Sequence, residues 1–392
     1  LKIIHLSDLH IGKQLNGYSL KENQQKILRQ AVDVIRKEQP DVILLCGDIY
    51  DKAVPSGEAF AVFNQFLNDL NSLERQIPVL IIAGNHDSPQ RLSFASGFLE
   101  KHHIYMSVLP PQKPEERLKK IVVEDEFGPV NFYLLPFMKP GYVRGLFEKE
   151  GAKDIPGTYE EAVRAVLARE TVNPKERNVI LSHQFYTSKS GEPETCGSEQ
   201  VSLSVGGVDK IDVSVLDEFD YAALGHLHKA QQSGRREARY CGTLLKYSVS
   251  EEKHKKSITL VTMEEKGKPV IMKEIPVTGI QDVRREKGSL EEILSRVTEN
   301  NRHDFVSVTI TDNQEPYHFR EKLQETFDFL LEIKVDNERT RKRLEETACQ
   351  APLSTPFEAF CSFYETVCRQ PLTEEEEKEI KKVLAKAEEE QI

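Results

Sequence analysis

Five separate stretches of the chain break off into side chains able to hold a metal: Ile3-Ile4-His5-Leu6-Ser7-Asp8-Leu9-His10, Val42-Ile43-Leu44-Leu45-Cys46-Gly47-Asp48, Val79-Leu80-Ile81-Ile82-Ala83-Gly84-Asn85-His86-Asp87, Val179-Ile180-Leu181-Ser182-His183 and Tyr221-Ala222-Ala223-Leu224-Gly225-His226-Leu227-His228. Together they offer Asp8, His10, Asp48, Asn85, His183, His226 and His228, a set of carboxylate, imidazole and amide donors with no thiolate. Such a mixture suits divalent manganese, iron, cobalt or zinc rather than calcium or a closed structural zinc site. Seven side chains exceed what one ion needs. If Asp48 bridges, they divide into two shells of four and leave positions for water and a substrate oxygen, as two-metal hydrolysis requires.

The elements that must gather these donors can be read from the apolar runs before them. Short runs rich in Val and Ile, ended by Gly or a polar residue, read as buried strands of a largely parallel sheet, whose carboxyl ends bind ligands. The donors are therefore expected along one sheet edge. In Asp8-Leu9-His10 and His226-Leu227-His228 the paired residues lie two apart, so an extended backbone would send both side chains from the same face. A lone Asp or His at a strand end is more often a turn residue or a satisfied core group, but that does not account for a set of five. His5 falls on the opposite pleat face from Leu6 and is assigned to packing.

The ordered set Asp8-x-His10, Gly47-Asp48-Ile49-Tyr50-Asp51, Gly84-Asn85-His86-Asp87, Ser182-His183 and Gly225-His226-x-His228 resembles the calcineurin-like metallophosphoesterase superfamily. Closer matches, among them His5 to Lys13, Gly84 to Leu92, Asn131 to Phe137 and Ala223 to His228, make the chain similar to the SbcD family of DNA-repair nucleases within it. The likeness runs from Leu1 to about Val277 and more loosely to the end. It implies an α/β fold, the four-layer αββα metallophosphoesterase sandwich, with a small α/β capping domain and a C-terminal helical segment. It also implies two divalent metal ions, with manganese expected: one held by Asp8, His10, Asp48 and His228, the other by Asp48, Asn85, His183 and His226. His86 is implied to face the substrate phosphate as an acid or charge stabiliser, and Asp51 to supply the carboxylate that orients its imidazole. The implied activity is metal-dependent exonuclease and endonuclease cleavage of DNA, with an SbcC-type coiled-coil ATPase as partner and a homodimer within a heterotetramer.

Composition limits the other possibilities. With 392 residues, 39% of them hydrophobic, the chain can bury a large core and is expected to divide into two or three units. No apolar run is of membrane-spanning length, and the opening residues read as a strand rather than a signal peptide. Six cysteines, Cys46, Cys196, Cys241, Cys349, Cys361 and Cys368, show no CxxC spacing, which fits a reducing cytoplasm. A net charge of −11 argues against tight autonomous DNA binding, because phosphate contacts demand basic surface. Lys13, Arg91, Lys189, Arg235, Arg236, Lys253, Lys255 and Lys256 each read as solvated surface when taken alone.

Three parts are expected: a nuclease domain over 1–277, a capping domain over 278–336, and a linker and helical partner-binding segment over 337–392. Ile258 to Met263 and Val270 to Met272 form a hairpin assigned to a second sheet. In the capping region, Ser289-Leu290-Glu291-Glu292 is a capping box, Phe305 to Ile310 a strand, Phe319 to Leu330 a helix and Glu332 to Val335 a strand. Beyond a charged, linker-like Asn337 to Pro352, a helix opening at Thr355-Pro356 carries the apolar stripe Phe360, Phe363, Tyr364 and Val367. A second helix from Thr373 carries Ile380, Val383, Leu384 and Ala387, and the pair reads as a docking element. The alternatives are a superfamily phosphodiesterase acting on a small nucleotide or phosphoprotein, which the added lobe and aromatic tail count against, and a non-catalytic scaffold, which the intact ligand set and His86 count against.

Overall fold

A strand buried along its whole length needs cover on both faces, and Val42–Cys46 shows how the chain provides it. Ile43 and Leu45 face a core completed by the helices Lys21–Glu38 and Gly57–Asn71. Val42, Leu44 and Cys46 face a second core shared with another sheet. The computed structural model describes residues 1–151, 154–189, 191–199, 210–341, 356–368, 370–373, 376–381 and 383.

The first sheet runs in the order Ile271–Pro276, Ser257–Thr262, Lys2–Leu6, Val42–Cys46, Val79–Ile82, Ile104–Ser107. Its last four strands are parallel. The second sheet runs Gln231–Ser233, Arg235–Tyr240, Tyr221–Gly225, Arg177–His183, Gly128–Leu135, Lys119–Asp125. Its outer face is covered by the helices Pro140–Lys149 and Tyr159–Leu167, the latter opened by a Thr158/Glu161 capping box. Between the sheets Ile3, Leu44, Ile82, Phe132, Val179, Leu181 and Val261 make an apolar core. Helix, sheet, sheet and helix are the four layers of the αββα sandwich that the resemblance implies.

Two expectations are corrected. The five donor-bearing segments do not share one sheet: three end strands of the first sheet and two end strands of the second. The Ser257–Thr262 and Ile271–Pro276 hairpin belongs to the first sheet, pairing antiparallel with Lys2–Leu6 through Lys2↔Thr262 and Ile4↔Leu260. Both corrections have one cause. Apolar patterning fixes which faces are buried, while the neighbour of a strand is chosen by contacts distant in sequence.

The chain forms two compact units, one of Leu1–Glu286, Val297–Ser307 and Gln324–Glu332, the other of Lys287–Arg296, Val308–Leu323 and the residues from Ile333 on. It passes between them within the strands Val283–Gly288, Phe305–Ile310 and Phe329–Val335, hydrogen-bonded in that order. In the first unit, Phe305 and Phe329 pack against Tyr18, the latter edge-on at 5.4 Å between ring centroids. The second contains the helix Leu290–Ser295, opened by the expected Ser289/Glu292 capping box. The helix expected over Phe319 to Leu330 ends at Thr326, and Phe329 to Leu331 belong to a strand that starts earlier than expected. Phe327 is buried beside that break, and Phe329 and Leu331 pack on the sandwich core, so tertiary burial overrides the helical run.

In the tail the helix Pro356–Cys368 starts at its proline, as the N1 preference directs. Residues 376–381 and 383 are also helical, after a Thr373/Glu376 cap in which Glu376 accepts from the Thr373 amide at 2.8 Å. Phe363, Val367 and Val383 are 65%, 62% and 59% exposed. The expected linker lies mostly outside the described residues, as do Thr355, Leu384 and Ala387. Among the described residues no helix is long and apolar enough to cross a membrane.

Candidate metal centre

All seven sequence-selected donors meet where the two sheets' strand ends face each other. The loop after Lys2–Leu6 is laced to the loop after Val42–Cys46: the Asp8 amide donates to Gly47 O and the His10 amide to Asp48 O, each at 3.0 Å. Asp8, His10, Asp48 and His226 have φ of 52°, 42°, 49° and 103°. These are left-handed or strained conformations for residues with a side chain, and here they turn the donors inward. The expected extended backbone through Asp8-Leu9-His10 and into His226 is therefore wrong. The strands stop at Leu6 and Gly225, and the chain curls rather than pleats.

Asp48 occupies the middle. Its Oδ2 lies 3.7 Å from His10 Nε2 and 3.4 Å from His183 Nε2, while Oδ1 accepts the His86 amide at 2.9 Å. On one side His10 Nε2 and His228 Nε2 are 3.1 Å apart, with Asp8 completing a cluster of three donors. On the other, Asn85 Oδ1 stands 3.1 Å from His183 Nε2 and 3.0 Å from His226 Nδ1. Two donors bound about 2.1 Å from a common ion at roughly 90–110° would stand about 3.0–3.4 Å apart, so these spacings fit divalent ions. Close approach is secured by glycine. A Cβ on Gly84 would fall 2.1 Å from Asp48 Oδ1, and one on Gly47, at φ +88°, 2.2 Å from His183 Nδ1.

The field of the site favours cations. Burial alone would depress the pKa of His183, but the Asp48 and Asp8 carboxylates outweigh it and raise it to about 9. Burial would likewise raise Asp48, yet the neighbouring His183, His10 and His86 hold it well below the usual carboxylate range. The same carboxylates that raise His183 would attract a metal cation to this place. His226 is pushed down to about 3 by burial and by the His183 charge, which keeps its ring a neutral donor.

His86 stands at the rim of this cluster, near enough to His10 and Asp48 to group with them as possible metal donors. Its Nδ1–H donates to the Asp51 backbone carbonyl at 2.8 Å, and its Nε2 is 3.9 Å from Asp48 Oδ2. The expectation that the Asp51 carboxylate orients this ring is corrected. That carboxylate instead pairs with Lys13 Nζ at 2.7 Å and lies 3.6 Å from His10 Nδ1. Main chain can orient an imidazole as well as side chain can, and no residue type signals it. His5 packs between the sheets with Nδ1 2.8 Å from the Tyr221 hydroxyl, outside the cluster.

Residues 1–230 match the calcineurin-like phosphoesterase family, and residues 280–367 match the SbcD C-terminal family, described as the type 5 capsule protein repressor C-terminal domain. The SbcD component of the SbcCD nuclease of Staphylococcus epidermidis is 30% identical over 80% of this chain and 79% of its own. The chain belongs to the SbcD branch of the calcineurin-like phosphoesterases. The SbcD of Staphylococcus saprophyticus is 29% identical over 98% of both chains. A dimetal phosphatase from Danio rerio aligns with a TM-score of 0.41 at 13% identity, over 71% of this chain and 98% of that one. Membership of this phosphoesterase family implies bound divalent metal.

Some residues of this SbcD-branch site carried no sequence signal of their role. Asp87, buried, accepts from the amides of Gly84 and Ile49 with Oδ2, at 2.9 and 3.1 Å, and from that of Tyr50 with Oδ1 at 3.0 Å. It thereby ties together the two loops that carry Asp48 and Asn85. Burial, with the Asp48 charge behind it, pushes its pKa up to about 6. The Tyr247 hydroxyl donates to Leu9 O at 2.5 Å, and its ring stands edge-on to His10 at 5.5 Å. Lys256, read as solvated surface, is instead half-buried, its Nζ paired with Glu251 Oε2 at 2.6 Å. Neither Tyr247 nor Lys256 lies in a recognisable motif.

Proposed function

We propose that this chain is a metal-dependent DNA nuclease, hydrolysing phosphodiester bonds at a two-ion centre and working in DNA end processing with an SbcC-type ATPase. The observation that carries this reading is Asp48 between two donor clusters, in a chain of the SbcD branch. Asp8, His10, Asp48 and His228 would hold one ion, and Asp48, Asn85, His183 and His226 the other. When bound, the ions, most simply manganese, supply Lewis acidity toward phosphorus and lower the pKa of water toward neutrality.

The remaining work falls to the chain. His86, with Nδ1–H committed to Asp51 O, has Nε2 left to face a substrate oxygen, where it stabilises charge or delivers a proton to the departing group. Asp51 assists indirectly by facing His10 and holding Lys13. Purified full-length chain should cleave end-labelled DNA with Mn2+ and stop in excess EDTA. Undiminished turnover in the chelator would exclude the mechanism.

The tail supports a partner. Phe363 and Val367 present apolar surface on the helix Pro356–Cys368, and an amphipathic helix offered this way fits a coiled-coil stalk. Aromatic anchors of that kind are each worth about 2 kcal/mol or more on truncation. Cutting the chain after Thr340 should spare Mn2+-dependent cleavage of simple DNA and abolish co-purification with the ATPase. Retained affinity for the ATPase, or unfolding of the shortened chain, would mean that the stripe packs on its own domain. The residues at 278–336 we assign to a capping domain that helps orient DNA, the assembly to a heterotetramer containing an SbcD homodimer, and its place to the cytoplasm. Phe94, 81% exposed in the turn between the short helices Pro89–Leu92 and Ser96–Leu99, and Phe98, 62% exposed on the second of them, are apolar surface suited to such self-association.

A further inference from the structure

Two of the three histidines at the strand ends of the second sheet, His183 and His228, are steadied in different ways. His183 Nδ1 faces the main-chain carbonyl of Cys46 at 2.7 Å, so the nitrogen turned away from the donor cluster is fixed by backbone. His228 is gripped by side chains from two loops. Its amide donates to Glu199 Oε1 at 2.7 Å, and its Nδ1 lies 2.7 Å from Ser198 Oγ. Ser198 in turn donates to Glu251 Oε1 at 2.6 Å. Glu251 is fully buried and anchored by Lys256 Nζ at 2.6 Å and by the Tyr247 amide at 3.0 Å.

Proton counting gives this chain a direction. A hydroxyl has one proton, and the carboxylate of Glu251 accepts it. The Ser198 oxygen can therefore only accept from His228, which places that ring's proton on Nδ1 and its lone pair on Nε2. The lone pair then points to the side where His10 Nε2 stands 3.1 Å away. An outer partner that fixes the tautomer and aim of a metal-binding imidazole is the usual means of tuning metal affinity.

We infer that Ser198, backed by Glu251, is a positioning residue that sets the affinity of the ion held by Asp8, His10, Asp48 and His228 and leaves the other ion untouched. This rests on the two-ion reading above. The two sites then differ in kind: one is tuned by replaceable side chains, the other by the main chain.

The test is calorimetric titration of Mn2+ into metal-free, full-length chain, alongside its melting temperature. Ser198→Ala removes the acceptor for the imidazole proton while leaving the Glu251–Lys256 pair whole. It should weaken one of two binding events by about 10–100-fold, leave the other unchanged, and leave the metal-free melting temperature unchanged. Ser198→Thr, which keeps the hydroxyl, should restore the weakened event. If wild-type chain binds two ions and Ser198→Ala weakens both equally or neither, the inference fails and the two-ion reading stands. A wild-type chain that binds a single ion at saturation overturns the two-ion reading and the inference with it.

Discussion

Asp48→Ala should abolish DNA hydrolysis and empty both ion sites. Asp48 Oδ2 stands between the two donor clusters, 3.7 Å from His10 Nε2 and 3.4 Å from His183 Nε2, nearer to His183 than Asp8 Oδ1 at 4.0 Å. Its partner Oδ1 holds the amide of His86, so the substitution also loosens the loop that presents the acid. Loss of a shared carboxylate removes negative charge from two sites at once, whereas loss of an outer ligand starves only one. Metal content after gel filtration in Mn2+, measured beside cleavage of labelled DNA, separates these cases. Two tightly held ions in the alanine variant would disprove the bridging role.

A different pattern is expected for His86→Ala: cleavage should fall by about 10²–10³-fold, the usual magnitude for losing one proton donor or charge stabiliser, with metal content nearly intact. The basis is geometric. The ring is committed through Nδ1 to Asp51 O, and Nε2 stands 3.9 Å from Asp48 Oδ2, within reach of the His10 and Asp48 donors but outside the two shells of four. Because cleavage is lost while both ions remain, the variant separates substrate chemistry from metal binding. Should His86→Ala release an ion instead, the histidine is a ligand and the division of roles given above is wrong.

Much of this site is legible in the sequence, for a plain reason. Val42 to Cys46 and Val79 to Ile82 are continuous apolar runs, and a residue placed directly after such a run has few places to go but the sheet edge. Which sheet is a different matter. Val179 and Val42 have the same pattern, yet they lie in different layers, because patterning describes a strand's faces and not its neighbours. The left-handed turns at Asp8, His10 and Asp48 are equally hidden, since tertiary hydrogen bonds rather than glycine impose them. Ser198, Glu199 and Glu251 reach His228 from 30, 29 and 23 positions away in sequence. No spacing rule connects residues that approach through three-dimensional folding alone. Asp51 is the right position with the wrong atom, its carbonyl rather than its carboxylate serving His86.

The division of the donors between two sheets gives bound metal a mechanical part. Asp8, His10, Asp48 and Asn85 ride on one layer and His183, His226 and His228 on the other, so an ion that joins them is a cross-link through the sandwich. Beneath it the sheets are held mainly by the non-directional packing of Ile3, Leu44, Phe132, Val179 and their neighbours, which resists separation more than it resists sliding, with a few polar ties such as His5 Nδ1 to the Tyr221 hydroxyl and Ser107 Oγ to Leu134 O. Ions in place convert that slippery contact into a pinned one at the end where chemistry happens. Ligation of this kind stabilises the folded chain by mass action, and the coupling runs both ways. Any change that lets the layers shear, however far from a ligand, is paid in metal affinity.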